Sequence, residues 1–94
     1  GVLPERWASI SASPFRNRMS VRLEANRPAD ASVTLLDRVG RIVQQFAVPG
    51  AGRCQVVWDG TDRLGKCVSP GLYFCRISGS GSTMTEPIVY LGAR

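Results

Sequence analysis

Seven carboxylates, three cysteines and no histidine are the reactive side chains this sequence has to work with. Without histidine, neither a Ser-His-Asp nor a Cys-His arrangement can form, and a general base would have to be one of the carboxylates. Asp59 and Asp62 are the one close acidic pair in a glycine-rich stretch, and they invite three readings: a calcium site, a glycosidase pair, or turn capping. The segment Asp59-Gly60-Thr61-Asp62-Arg63-Leu64-Gly65 lacks the further spaced oxygen ligands and the terminal bidentate acid of an EF-hand loop. Glycosidase carboxylates face each other across a cleft rather than sharing a turn. The residue types therefore favour carboxylates that accept hydrogen bonds from nearby backbone amides. No catalytic residue, cofactor site or metal site is assigned.

The cysteines are separated by 13 and 8 residues. With no CxxC pair and no histidine, a zinc site is disfavoured. Cys54 and Cys75 fall on the apolar phase of their segments, where they would pack as small hydrophobes or bridge to each other, and Cys67 falls in the connection between them. Two buried thiols and one partly exposed thiol is the favoured reading; a Cys54–Cys75 disulfide is the alternative.

The elements that must position these residues are strands. Val56 to Ile77 holds a strand ending in Trp58, a turn-rich connection with Gly60, Gly65 and Pro70-Gly71, and a second strand from Leu72-Tyr73. Met19 to Asn26 alternates strictly, with Met19, Val21, Leu23 and Ala25 on one face. Ala31, Val33 and Leu35 carry the next strand inward, and Leu36 falls on the outer face or beneath a loop. Asp37 to Gly40 makes a tight turn. In Arg41 to Val48 two phases compete, Ile42, Phe46 and Val48 against Val43 and Ala47, and a bulge would reconcile them.

Trp7 to Ala12 forms a first edge strand, broken by Ser13-Pro14-Phe15, with Phe15 tucked under the body. Pro49-Gly50-Ala51-Gly52 is an open loop and Ser78 to Ser82 a flexible hairpin loop. The last strand runs from about Thr83 to Leu91, with Pro87 marking an edge or bulge. Seven short strands joined by Gly/Pro/Asp turns, with no helical period, predict an all-β, antiparallel immunoglobulin/fibronectin III-like sandwich. Trp58 should lie buried among Val21, Leu23, Val33, Leu35, Val56, Tyr73 and Ile77.

Trp58-Asp59-Gly60, then Asp62 and Gly65, then Gly71-Leu72-Tyr73-Phe74, resembles the WDG-x-D-x-x-G and sGvYf signature of FlgD-like immunoglobulin-like modules. That family is in turn similar to the C-terminal sorting domains of type IX (Por) secretion substrates. Ser13-Pro14-Phe15 stands where these families often have Asn-Pro-Phe, and Leu36-Asp37-Arg38-Val39-Gly40-Arg41 matches their yD-x-x-Gr turn. The resemblance spans about Ile10 to Leu91 and implies the same sandwich. It implies structural duty for Trp58, Asp59, Gly60, Asp62, Gly65, Gly71 and Tyr73, and it implies a module of an exported bacterial protein, secreted or held at the cell envelope. The implied partners are the domains of a parent polypeptide and the secretion or cell-surface machinery.

At 94 residues the chain suits one domain, burying roughly 60 to 70% of its unfolded surface. The start at Gly-Val-Leu-Pro reads as a piece of a larger protein, with residues 1–9 a linker or extension contributing part of the first edge strand and 10–94 the sandwich. No apolar run approaches the ~20 residues of a membrane span. A net charge of +5 comes from eleven Arg and one Lys. Arg6, Arg27, Arg76, Arg94 and the others are spread along the chain without interleaved exposed aromatics, which favours solvated strand faces over nucleic acid. Three function classes stay in play: an interaction or sorting module, a carbohydrate-binding or spacer module of a secreted enzyme, and a hook-capping assembly domain. Trp58 and Tyr73 read as core aromatics rather than a sugar platform.

Overall fold

The structure is a computed structural model that describes residues 7–11, 13–48, 50 and 52–93. Residues 1–6 of the expected extension, including Arg6, together with Ala12, Pro49, Ala51 and Arg94, lie outside the described residues. Seven strands follow in order: β1 Ala8–Ile10, β2 Met19–Leu23, β3 Ser32–Asp37, β4 Ile42–Ala47, β5 Cys54–Trp58, β6 Gly71–Gly79 and β7 Ser82–Tyr90. They form a three-stranded sheet, β1-β2-β5, and a four-stranded sheet, β4-β3-β6-β7, with every neighbouring pair antiparallel. This is the sandwich that the alternation predicted.

Period-2 alternation decides what enters the core. From the three-stranded sheet come Met19, Val21, Leu23 and Trp58; from the four-stranded sheet come Val33, Leu35, Tyr73, Cys75, Ile77, Ile88 and Tyr90. Phe15 is buried with them, and so is Trp7, which precedes β1. Cys54 and Val56 point inward but are only half-buried, because β5 is an edge strand with no neighbour beyond it.

The end of β2 and the β6–β7 loop differ from expectation, whereas the bulge in β4 and the outer placement of Leu36 agree with it. β2 stops at Leu23, where the amide of Glu24 donates to the Trp7 carbonyl (2.8 Å), and Ala25 lies exposed in the turn that follows. The bulge in β4 falls at Val43: Leu35 pairs with Gln44 and Leu36 with Ile42, so Val43 turns inward while Ile42 is left on the surface. One extra residue thus reconciles the two phases. Leu36 is buried outside the core cluster, on the outer face of the four-stranded sheet. β6 and β7 run to Gly79 and Ser82, leaving a two-residue turn in place of the expected flexible loop. Ser80 and Gly81 both take positive φ, as the tightest hairpins demand, and the Asp30 carboxylate accepts from the Ser80 amide (2.9 Å).

Arg27 is the largest departure from the expected solvated arginines. It is buried, and it donates through Nε to the Gly52 carbonyl (2.7 Å) and through Nη1 to the Val48 carbonyl (2.8 Å). A guanidinium carries five donors in a rigid fork, so it can satisfy carbonyls where β4 crosses to the other sheet as β5.

Trp58, at 1% exposure, is among the largest fully buried side chains. Its replacement by alanine should destabilise the domain by about 3 to 5 kcal/mol, read as a large fall in the midpoint of denaturant unfolding. A Trp58→Ala protein that melts within a degree or two of the parent would contradict this packing.

Candidate functional site

The singled-out residues gather at one end of the sandwich, where β5 ends, β6 begins and the β3–β4 turn lies. Trp58 pairs with Met19, Asp37 with Tyr73, and Gly71 with Tyr90, so the ends of β3, β5 and β7 and the starts of β2 and β6 meet there. Within this end four aromatic rings pack at tilted to edge-on angles. Trp58 lies 5.4 Å from Tyr73, 5.6 Å from Tyr90 and 5.8 Å from Phe15 by ring centroids, and Phe15 lies 5.2 Å from Tyr90. Such pairs contribute about 0.5 to 1.5 kcal/mol each beyond their area. The Trp58 indole N–H donates to the Thr61 carbonyl (2.8 Å) and the Tyr73 hydroxyl to the Ser69 carbonyl (2.5 Å), so both polar tips tie the long connection to the core. Burial pushes both tyrosine hydroxyls up from their ordinary titration range.

Tyr90 and Phe15 complete this cluster, and Tyr90 was not among the residues picked from the sequence. The signal was present: Ile88 and Tyr90 share one phase of β7 and Val89 and Leu91 the other. Tyr90 also accounts for Gly60. A Cβ at position 60 would overlap the Tyr90 ring, and the position has φ +83°. Phe15 is held against β7 by its amide donating to the Val89 carbonyl (2.9 Å) and by the Leu91 amide donating back to its carbonyl (2.8 Å).

The three acids at this end are occupied by the backbone. Asp59 Oδ1 accepts from the amide (3.2 Å) and the hydroxyl (2.6 Å) of Thr61. Asp62 Oδ1 accepts from the amides of Leu64 (2.9 Å) and Lys66 (3.0 Å). Asp37 does the same with the amides of Val39 (3.0 Å) and Arg41 (2.9 Å), while its Oδ2 meets Arg41 Nε at 2.8 Å. The Arg41 amide first, then its guanidinium and the Val39 amide, hold the Asp37 carboxyl below the usual carboxylate range.

The last two turns are the same object built twice. Asp37-Arg38-Val39-Gly40-Arg41 and Asp62-Arg63-Leu64-Gly65-Lys66 share the sequence Asp-Arg-aliphatic-Gly-cation. In both, the Asp amide donates to the carbonyl four residues on (2.9 and 2.8 Å), and the glycine amide donates back to the Asp carbonyl (3.0 and 2.9 Å). The glycines take φ +91° and +84°. This five-residue repeat is spelled out in the sequence. The Gln44 side-chain amide donates to the Asp62 carbonyl (3.2 Å), fixing the second turn beside β4. Gly71 starts β6 immediately after Pro70.

Among the described residues, no group of three or more His, Cys, Asp or Glu side chains converges as a metal centre. The three thiols are free: Cys67 exposed, Cys54 half-buried, Cys75 buried. Burial, and secondarily the neighbouring Glu86 charge, pushes the Cys75 thiol up to about 12. No helix of the described residues is long and apolar enough to cross a membrane.

Residues 9–82 match the family model described as the FlgD Ig-like domain, and the chain belongs to that family. No curated protein sequence matches the chain. Among solved structures, dimeric latent PorU from Porphyromonas gingivalis superposes with a TM-score of 0.71 at 21% identity, over 92% of this chain and 9% of that one. PorZ, an essential bacterial surface component of the type IX secretion system of P. gingivalis, gives 0.68 at 18%, over 94% of this chain and 12% of that one. FlgD from Xanthomonas campestris, a protein of flagellar hook capping, gives 0.54 at 22%, over 88% and 63%. These likenesses establish the fold, and this chain spans only about a tenth of the length of PorU or PorZ.

Two predictions come from this end of the domain. Gly60→Ala should cost about 2 kcal/mol or more, since backbone strain and overlap with Tyr90 act together. Gly65→Ala, with open space around it, should cost only about 1 kcal/mol for its left-handed backbone. Equal melting temperatures for the two variants would count against the Tyr90 packing. In native alkylation followed by mass analysis, Cys67 should react first, Cys54 more slowly, and Cys75 only on unfolding.

Proposed function

We propose that this FlgD-type Ig-like domain is a non-catalytic interaction or sorting module of a larger exported bacterial protein, secreted or held at the cell envelope. The observation that carries the reading is the match to small domains within the much longer PorU and PorZ chains, PorZ being a surface component of a secretion system. The seven motif residues support it from the chemical side. Trp58 and Tyr73 bind the connection to the core, Gly60 makes room for Tyr90, and Asp59 and Asp62 saturate backbone amides. We infer that Gly65 and Gly71 likewise serve the chain path. Carboxylates so engaged are poorly placed to act as general bases, and the domain is expected to have no turnover of its own.

A sugar-binding role finds less support. Carbohydrate platforms need flat exposed aromatic faces, and here Trp7, Phe15, Trp58, Tyr73 and Tyr90 are buried and Phe46 and Phe74 half-buried. A hook-capping assembly role keeps a basis in the family match and in the FlgD structures. The lower TM-score of the Xanthomonas FlgD, 0.54 against 0.71 for PorU, ranks it second.

The test is deletion of residues 10–94 from the parent protein. Delivery to the surface or medium should fail while the parent's activity on a small soluble substrate is retained. Export that proceeds normally, with activity reduced only on an insoluble polysaccharide, would move the assignment to a sugar-binding module. Loss of soluble turnover in a correctly folded deletion protein would contradict the non-catalytic reading.

A further inference from the structure

Arginines that are dispersed in the sequence converge in space. The strand ends that meet at the Trp58 end bring together Arg16 and Arg18 from the β1–β2 connection, Arg38 and Arg41 from the first Asp-Arg turn, and Arg63 and Lys66 from the second. These are six of the chain's twelve cations, and all six are exposed. The acids at this end are Asp37, Asp59 and Asp62; their bonds to neutral amides leave their charge in place, so six cations stand against three carboxylates. The end therefore carries a surplus of positive charge, whereas Glu24 and Asp30 balance Arg27 and Arg53 at the other. Between the paired cations of each twin turn stands one aliphatic side chain in water: Val39 at 72% and Leu64 at 85% exposure, the two most exposed large hydrophobics of the described residues.

From this placement we infer that the end bearing the twin turns is a peripheral docking surface for an anionic lipid bilayer, with Val39 and Leu64 entering the interface and the surrounding arginines meeting headgroup phosphates. Charge complementarity requires an anionic partner, and guanidinium groups suit phosphate oxygens. The apexes decide which anion. A polyanion in solution, nucleic acid or acidic peptide, would neutralise the arginines and leave both aliphatic side chains in water. A rigid protein would need two pockets matched to two separate convex turns. A bilayer is fluid, and takes up convex apolar tips flanked by cations without any preformed cavity. The twin turns are suited to this because the amides from the aliphatic residue to the second cation are all bonded within the turn, which lowers the number of donors to be desolvated at the interface. The inference is independent of the sorting role, since it concerns the isolated chain.

The experiment is co-sedimentation of the 94-residue chain with phosphatidylcholine vesicles, with and without phosphatidylglycerol. Binding is expected to the mixed vesicles, with little to phosphatidylcholine alone, and should weaken as salt rises. Val39→Ser with Leu64→Ser should lower the affinity about tenfold, and Arg38→Gln with Arg63→Gln about tenfold or more. Arg22→Gln with Arg53→Gln, which removes the same net charge away from this end, should change it less than about twofold. Melting curves confirm that each variant is folded; all six positions are exposed, and folded protein is expected. The proposal is overturned if the parent chain ignores the mixed vesicles, if the serine pair binds as well as the parent, or if the Arg22/Arg53 pair loses as much as the Arg38/Arg63 pair. Binding to soluble polyglutamate or to duplex DNA as tight as to vesicles, and unaffected by the serine pair, would assign the surface to that polyanion instead.

Discussion

The packing of Trp58 against Tyr73, Tyr90 and Phe15 is the constraint on which the rest of this domain depends. The indole closes one end of the sandwich, and its ring N–H reaches out of the core to hold Thr61, three residues further along the chain. Because Tyr90 comes from the last strand and Phe15 from the first connection, the cluster joins both termini of the fold to the β5–β6 connection. Gly60 is the cost of that arrangement. The backbone runs so close to the Tyr90 ring that no side chain fits, and the left-handed conformation there favours glycine.

Once this end is closed, the connection of twelve residues between β5 and β6 need not be mobile. Asp59 and Asp62 each fold a short segment upon its own amides, the Val68 amide donates to the Gly60 carbonyl (2.9 Å), and Tyr73 holds Ser69. A loop this well bonded holds its tips in fixed positions. The β3–β4 turn repeats the design with Asp37. At the opposite end, the buried Arg27 does comparable duty by bonding to the carbonyls of Val48 and Gly52, where an unsatisfied main chain would otherwise be costly.

The sandwich architecture, the strand count and most of the core were legible because period-2 alternation maps directly onto burial in a two-sheet fold. Met19, Val21, Leu23, Val33, Leu35 and Ile77 all lie where their phase put them. Elsewhere something other than phase decides. Ala25 had the right phase but lies past the end of its strand. In β4, where phase alone leaves the choice open, the expected bulge turns Val43 inward and Ile42 outward. Cys54 and Val56 had inward phase on an edge strand, where facing inward does not bring full burial.

What the sequence determined by itself was local: which residues alternate, where glycine, proline and aspartate turn the chain, and that no histidine is available for nucleophile activation. These follow from backbone sterics and residue chemistry within a few positions of each other. Only the tertiary structure decided that Tyr90 lies over Gly60, that Arg27 is buried, and that six cations dispersed between Arg16 and Lys66 share one end of the molecule. Those facts depend on strand order, and strand order arises from which hydrophobic faces meet across the sandwich, a long-range choice that no short window of sequence contains.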